Sequence, residues 1–364
     1  MRSWLSVDLE AVSANARALA RLAAPASLCA VVKSNAYGHG LVPVARALAD
    51  AGIPDLRFGV FSWDEAAALR EAGLTQPIVV LGPVDDADLD AASVARVELA
   101  LLSTRDVERF ARRRLRAHVK VDTGLSRFGV ARSDAARIIE RCRASEIDVV
   151  GIYSHLANAE ELGKAFVFDQ IARLREGASA APGVARHIAA SAAALLWPEA
   201  RLDMVRCGIA LYGLWPSAQV RDAAPGFSLE RALRWYAPVV HVREIDAGDV
   251  VGYGCEFVAR RRSTIAVLPL GYADGMPRAA GDGRLKVRLA GGTAPIVGRV
   301  CMNACMLDTT DLPAAPRFGD TVEIDVEEAA AAAGTINYEI VARLPEHLER
   351  RYAPAAARTA TLKI

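Results

Sequence analysis

Short apolar runs rich in β-branched residues recur along residues 27–213, and between them lie segments whose apolar residues return at every third and fourth position. The runs are SLCAVVK (27–33), RFGVFS (57–62), PIVVLG (77–82), VELALLS (97–103), AHVKVD (117–122), DVVGIYSH (148–155), ARHIAAS (185–191) and MVRCGIALYG (204–213). The intervening segments, such as LVPVARALADAG, SWDEAAALREAG and STRDVERFARRR, carry the spacing of amphipathic helices. Eight alternations of strand and helix predict a (β/α)8 barrel of the TIM type.

The pattern changes after DAAPGF (222–227), which reads as a linker. Beyond it come short alternating runs, PVVHVREI, STIAVLPL, RLKVRLAG, APIVGRV and DTVEIDV, separated by Gly, Asp and Pro. These predict a mainly β domain. The expected fold class is therefore α/β, with a barrel over residues 1–228 followed by a β domain over 229–364. Residues 1–10, which include SWLSVDL, are expected to lend a strand to the second domain, since their neighbours are not barrel-like.

Composition narrows the function. With 44 basic and 43 acidic residues the formal charge is +1, so no basic field points to nucleic acid or a membrane surface. A small molecule is the expected partner. Asp8 and Glu10 interrupt what a signal peptide would need as an apolar segment, and no run reaches membrane-spanning length, so a cytoplasmic chain is expected. The six cysteines show no C-x-x-C spacing, and Cys301 and Cys305, the closest pair, have no histidine near them. Reduced, mostly buried thiols are expected, and no metal site.

Several barrel runs finish in polar residues, among them Lys33, Asp122, His155, Ser191 and Arg206. The carboxyl ends of barrel strands form the face where such folds place their chemistry. A lysine there either snorkels to solvent or, if desolvated, becomes a nucleophilic amine able to form a Schiff base with an aldehyde such as pyridoxal phosphate. Position alone leaves both readings open.

The stretch VVKSNAYGHG (31–40) resembles the cofactor-lysine motif of the alanine racemases, pyridoxal-phosphate enzymes built from a barrel and a β domain. The resemblance runs through several separate blocks along nearly the whole chain. It implies that Lys33 holds the cofactor and that Tyr37 helps to grip its phosphate, while His39 reads better as a structural residue of the turn. GYADGMPR (271–278) matches the block that supplies the second acid/base, Tyr272, which in the family comes from the partner subunit. Racemisation removes the α-hydrogen from one face and returns one on the other, so two bases are needed, and the resemblance implies Lys33 and Tyr272 in a homodimer with shared sites.

Further matches extend the implied site. Arg206 would face the pyridine nitrogen and keep it unprotonated, and Arg206 and His155 would be the neighbours that favour a phenolate at Tyr272. Ser191, the amides of Gly208 and Ile209, and Tyr338 would serve the phosphate, although the family commonly has Asn where Ala190 stands. HVKVDTGLSRFG (118–129) resembles the block in which a lysine, here Lys120, is carbamylated and holds an arginine, here Arg127, near the substrate. VGRVCMNACML (297–307) matches the block whose methionine amide, here Met302, addresses the substrate carboxylate. Two departures stand out: Asn303 replaces the usual Asp, and Arg343-Leu344-Pro345-Glu346 replaces R-x-P-R.

The resemblance thus implies interconversion of L- and D-alanine, with D-alanine serving peptidoglycan. Asn303 keeps a serine or broad-specificity racemase as the alternative. A decarboxylase of the same architecture would place a carboxylate where Arg206 stands, and a non-catalytic cofactor-binding barrel would lack the second domain.

Overall fold

The computed structural model describes residues 2–163, 165–179 and 181–353. The chain divides into two compact units, Glu10–Arg231 and a second composed of Met1–Leu9 with Ala232–Ile364. The division lies between Arg231 and Ala232, after the DAAPGF segment.

All eight expected runs form parallel strands in the first unit. With β1 assigned to Trp4–Asp8, they are β2 (Ser27–Val31), β3 (Arg57–Val60), β4 (Ile78–Val80), β5 (Glu98–Leu101), β6 (Arg116–Asp122), β7 (Asp148–Tyr153), β8 (Ala185–His187) and β9 (Met204–Cys207). The pairing order is β9-β2-β3-β4-β5-β6-β7-β8. Backbone bonds from Asp203 N–H to Arg186 O (3.0 Å) and from Arg206 N–H to Ala189 O (2.9 Å) bring the two ends of this order together. Strands covered on both faces need side chains that tolerate full burial, and every residue of β4, β5 and β9 is buried. Glu98, His118 and Arg206 are polar exceptions inside this core.

In the second unit β1 pairs antiparallel with β10 (Leu233–Pro238) and parallel with β17 (Glu349–Ala353). The other strands of this sheet are β11 (His241–Ile245), β12 (Ser263–Leu268), β13 (Lys286–Leu289), β14 (Gly292–Val297), β15 (Cys305–Asp308) and β16 (Thr321–Ile324). Their order is β11-β12-β15-β14-β13-β16-β10-β1-β17. The unit also contains the helices Val326–Ala333 and Asn337–Ala342. The first is alanine-rich and starts on Asp325, whose carboxylate accepts from Glu327 and Glu328 N–H.

Beyond β2 the backbone enters an unusual turn. Ser34, Asn35, Ala36 and Tyr37 have φ of 55°, 53°, 53° and 51°, four consecutive non-glycine residues in the left-handed region. Two helical-type bonds, Ala36 N–H to Val32 O (2.8 Å) and Gly38 N–H to Ser34 O (3.0 Å), hold the turn. Asn35 Oδ1 accepts from Leu41 N–H at 2.7 Å, and Glu65 accepts from Ser34 N–H. The same Glu65 completes a capping box with Ser62 at the start of the helix Trp63–Glu71, so one side chain ties two barrel loops together. His39 is fully buried, its Nδ1 lies 2.8 Å from Tyr37 O, and its ring lies tilted against that of Tyr212 with the centres 4.4 Å apart. It braces the turn from beneath.

Each non-glycine residue in this region costs roughly 1–2 kcal/mol. Exposed Ser34 isolates that cost. Ser34→Gly removes it at the expense of about 0.4–1 kcal/mol of unfolded-chain entropy and is expected to raise stability by about 0.5–1 kcal/mol. Ser34→Val should lower stability. Urea midpoints of the three proteins check the order, and equal midpoints would show that the turn stores no such strain.

Candidate active site

The turn delivers Lys33 to the carboxyl end of β2, where its ammonium lies 5.6 Å from the centre of the Phe61 ring. Burial lowers the Lys33 pKa, and the nearby Arg127 cation lowers it further. Lys120, on β6, is 5% exposed and has its pKa pushed down to about 8, first by burial and then by Arg206 and Arg127, with Lys33 adding to the effect. Asp122 opposes these shifts, but its Oδ1 also accepts from Gly124, Leu125 and Ser126 N–H at 2.9–3.1 Å and shapes the loop that carries Arg127.

Tyr153, the last residue of β7, sits among these charges. Lys120 Nζ and Arg206 Cζ each lie 5.1 Å from its ring centre. His187 stacks parallel to the same ring at 4.9 Å. The face of the ring is negative and partly offsets the cations that approach it.

Arg206 is buried and held by four acceptors. Its Nη2 donates to Ser154 O (2.8 Å), His155 Nδ1 (3.3 Å) and Ile188 O (3.4 Å), and its Nη1 to His187 Nδ1 (2.7 Å). Burial, then the cations Arg206, Lys120, Arg127 and Lys33, push His155 down to about 3, so its imidazole is neutral at physiological pH. With Nδ1 accepting from Arg206, the His155 proton sits on Nε2 as a donor.

Ser191, Gly208 and Ile209 come together beside the cation cluster's own barrel strands. Ser191 Oγ accepts from Gly208 N–H (3.0 Å) and Ala210 N–H (3.4 Å), which leaves its hydroxyl hydrogen to donate elsewhere. Ile209 opens a short 3-10 turn, Ile209–Tyr212, whose first amide has no acceptor within the turn. A Cβ on Gly208 would stand 2.4 Å from the Tyr37 hydroxyl, so only glycine lets the tyrosine reach this backbone. Lys33, Tyr37, Lys120, Arg127, His155, Ser191, Arg206, Gly208 and Ile209 all belong to the first unit.

Tyr272, Met302 and Tyr338 belong to the second unit. Tyr272 N–H donates to Cys301 O (3.1 Å) and Ala273 N–H to Met302 O (2.9 Å), which joins the two sequence blocks that contain Tyr272 and Met302. A Cβ on Gly271 would collide with Met302 O at 2.2 Å, and this explains the glycine before Tyr272. Both side chains are open, Tyr272 45% and Met302 56% exposed. Tyr338 is half-buried on the helix Asn337–Ala342, and Asn303 is exposed.

Sequence reasoning passed over Glu65, Tyr153, His187, His118 and Glu98. Polar residues inside otherwise apolar strand runs were the available signal for Glu98 and His118. The six cysteines are unpaired, four of them buried, with Cys255 exposed and Cys301 half-buried. Among the described residues no helix is long and apolar enough to cross a membrane.

Comparison with known proteins gives the same architecture. The family model "Alanine racemase, N-terminal domain" matches residues 7–216, and "Alanine racemase, C-terminal domain" matches 232–352. The alanine racemase of Symbiobacterium thermophilum is 40% identical, with 96% of this chain and 97% of the relative aligned. That of Listeria monocytogenes is 36% identical over 96% and 97%. Among solved structures, the alanine racemase of D-cycloserine-producing Streptomyces lavendulae superposes with a TM-score of 0.90 at 33% identity, covering 98% of both chains. The Bartonella henselae alanine racemase, which carries covalently bound pyridoxal phosphate, superposes with a TM-score of 0.88 at 31% identity, covering 97% of this chain and all of that one. A barrel and a β domain matched end to end at these identities place the chain in the alanine racemase family.

Proposed function

We propose that the protein is a pyridoxal-phosphate-dependent alanine racemase that works by two bases, Lys33 and Tyr272 of a second copy of the chain. The observation that carries this reading is the gathering of Lys33, Lys120, Arg127 and Arg206 with a neutral His155 at the carboxyl ends of the barrel strands. Such a cluster suits an anionic ligand, and the lowered pKa of Lys33 suits a covalent bond to an aldehyde. The Gly208 position, which a Cβ would fill against Tyr37, and the free hydroxyl hydrogen of Ser191 fit a phosphate beside that aldehyde.

On this reading Lys33 would hold pyridoxal phosphate, Tyr37, Ser191, Gly208, Ile209 and Tyr338 would bind its phosphate, and Arg206 would face its ring nitrogen. When bound, the cofactor withdraws electrons from the α-carbon of an attached amino acid and so acidifies its α-hydrogen. Arg206 keeps its own protons at any working pH and offers the ring nitrogen hydrogen bonds without protonating it. Lys33 Nζ, of lowered pKa, takes or returns the proton on one face of the α-carbon. The Tyr272 hydroxyl does the same on the other. His155 Nε2–H stays a neutral donor, because its Nδ1 lone pair is committed to Arg206. Arg127 and the Met302 amide would hold the substrate carboxylate, and D-alanine would go to peptidoglycan synthesis in the cytoplasm.

The exposure of Tyr272 and Met302 supports a site completed by the partner copy. Exposed Asn303 beside Met302 favours a second reading, a racemase that also accepts serine or other amino acids. Chiral chromatography of an L-amino-acid panel incubated with the yellow protein tests both, since inversion of alanine alone supports the first and equal rates with serine the second. Release of carbon dioxide without inversion would overturn both.

Two outcomes follow. Tyr272→Phe should lower kcat by about 10²–10⁴-fold, while the protein keeps its yellow cofactor. Full activity in that variant would remove the second base. Lys120 should also form a carbamate. With a pKa of about 8, its neutral, carbamate-forming fraction grows as pH rises through that value. A carbamate carbon resonance from ¹³C-bicarbonate should grow over the same range and be missing in Lys120→Ala. A resonance that weakens with rising pH would contradict this.

A further inference from the structure

Arg206 is one end of a hydrogen-bond chain that runs through the barrel interior to its opposite end. Arg206 Nη1 meets His187 Nδ1 at 2.7 Å, His187 Nε2 meets His118 Nδ1 at 2.9 Å, and His118 Nε2 meets Glu98 Oε2 at 3.0 Å. Glu98 in turn accepts from Arg57 Nη1 at 3.0 and 2.9 Å and pairs with Arg116 at 2.7 Å. Glu98 and His187 are wholly buried and His118 nearly so, whereas Arg57 and Arg116 reach solvent. Glu98, Arg57 and Arg116 each open their strands, so this end of the chain lies at the amino-terminal ends of β5, β3 and β6.

Only one arrangement of protons satisfies every member. An arginine can only donate, so His187 Nδ1 must accept from Arg206 and the His187 proton must sit on Nε2. That proton occupies His118 Nδ1, which sends the His118 proton to Nε2 and onto Glu98. A carboxylate can only accept, and both neighbouring arginines donate to it. Burial lowers the pKa of both imidazoles, in the direction of the neutral state that this arrangement requires. Burial raises that of Glu98, but the His118 bond and the two arginines outweigh it and hold the carboxyl below its usual range.

We infer that Glu98 is a positioning residue for Arg206: its acceptor-only carboxylate fixes the tautomers of His118 and His187, and so supplies the lone pair that holds Arg206 Nη1. A buried polar chain adds little net stability over a well-packed apolar one. Its distinctive property is direction. The consequence for catalysis rests on the proposed racemase reading, whereas the tautomers do not.

The isosteric Glu98→Gln gives the chain a choice that glutamate denies it. Arg57 and Arg116 demand the amide oxygen, which turns the amide N–H2 toward His118. His118 must then accept on Nε2 and donate from Nδ1, His187 must do the same, and its Nδ1–H confronts Arg206 donor to donor. Glu98→Asp alters the shape but keeps an acceptor-only group.

¹⁵N-histidine NMR of the holoenzyme tests the chain directly. Native protein should show His118 and His187 neutral with the proton on Nε2, and either ring protonated on Nδ1 would overturn the proposal. Glu98→Gln should move the His187 proton to Nδ1 and lower kcat for alanine about tenfold to a hundredfold, with KM little changed. Glu98→Asp should keep both native tautomers and lose less kcat than the closer mimic in shape. Packing alone predicts the reverse order, and that order would also overturn the proposal. Should Glu98→Gln fail to fold, the native tautomers and Glu98→Asp still decide. If the native holoenzyme inverts no amino acid while showing these tautomers, the functional reading fails and the chain stands.

Discussion

Positive charge gathered where water is scarce is the constraint around which the barrel unit is organised. Lys33, Lys120, Arg127 and Arg206 each perturb a common set of neighbours, while burial removes the solvent that would screen them. The fold answers this crowding in three ways. Tyr153 offers its ring face to two of the cations, backbone carbonyls of Ser154 and Ile188 accept hydrogen bonds from Arg206, and His155 gives up its own charge. What remains is an electropositive site that an anionic cofactor and a carbamate on Lys120 would complete.

The same constraint explains the local backbone. A lysine needed at the end of β2, next to a tyrosine that reaches Gly208, requires the chain to reverse within a few residues. Four left-handed residues achieve that reversal, and their cost is offset by Asn35, Glu65 and the buried His39 beneath them. In the second unit, the close approach of Gly271 to Met302 joins two blocks far apart in sequence into one exposed surface. Each unit thus carries one half of the proposed two-base chemistry on backbone held by its own hydrogen bonds.

Much of this was legible in the chain. Parallel strands buried on both faces must be apolar and β-branched, so all eight barrel strands stood out, as did the polar residues at their ends. The β unit was less clear. Strands β10 and β17 carry exposed arginines within their runs, β15 hides in ACMLD, and the helix bearing Tyr338 is only six residues long. The left-handed turn left only Asn35 as a signal, because Ser, Ala and Tyr have no preference for that conformation. Glu98 and His118 were visible as polar residues in apolar runs, yet their purpose depends on strands β3, β5, β6, β8 and β9 meeting across the barrel interior. No spacing along the chain records that meeting.

The central claim is that two different groups exchange protons with the two faces of one α-carbon. Incubating L-alanine with the holoenzyme in deuterated water, stopping at low conversion and measuring the isotope at the α-carbon of each isomer tests it most directly. Two bases predict D-alanine that carries solvent deuterium and none of the substrate's own hydrogen, because the proton taken by one group is not the one delivered by the other. D-alanine that retains the substrate hydrogen would mean that a single group carries the proton across, and would contradict the assignment of Lys33 and Tyr272 to opposite faces.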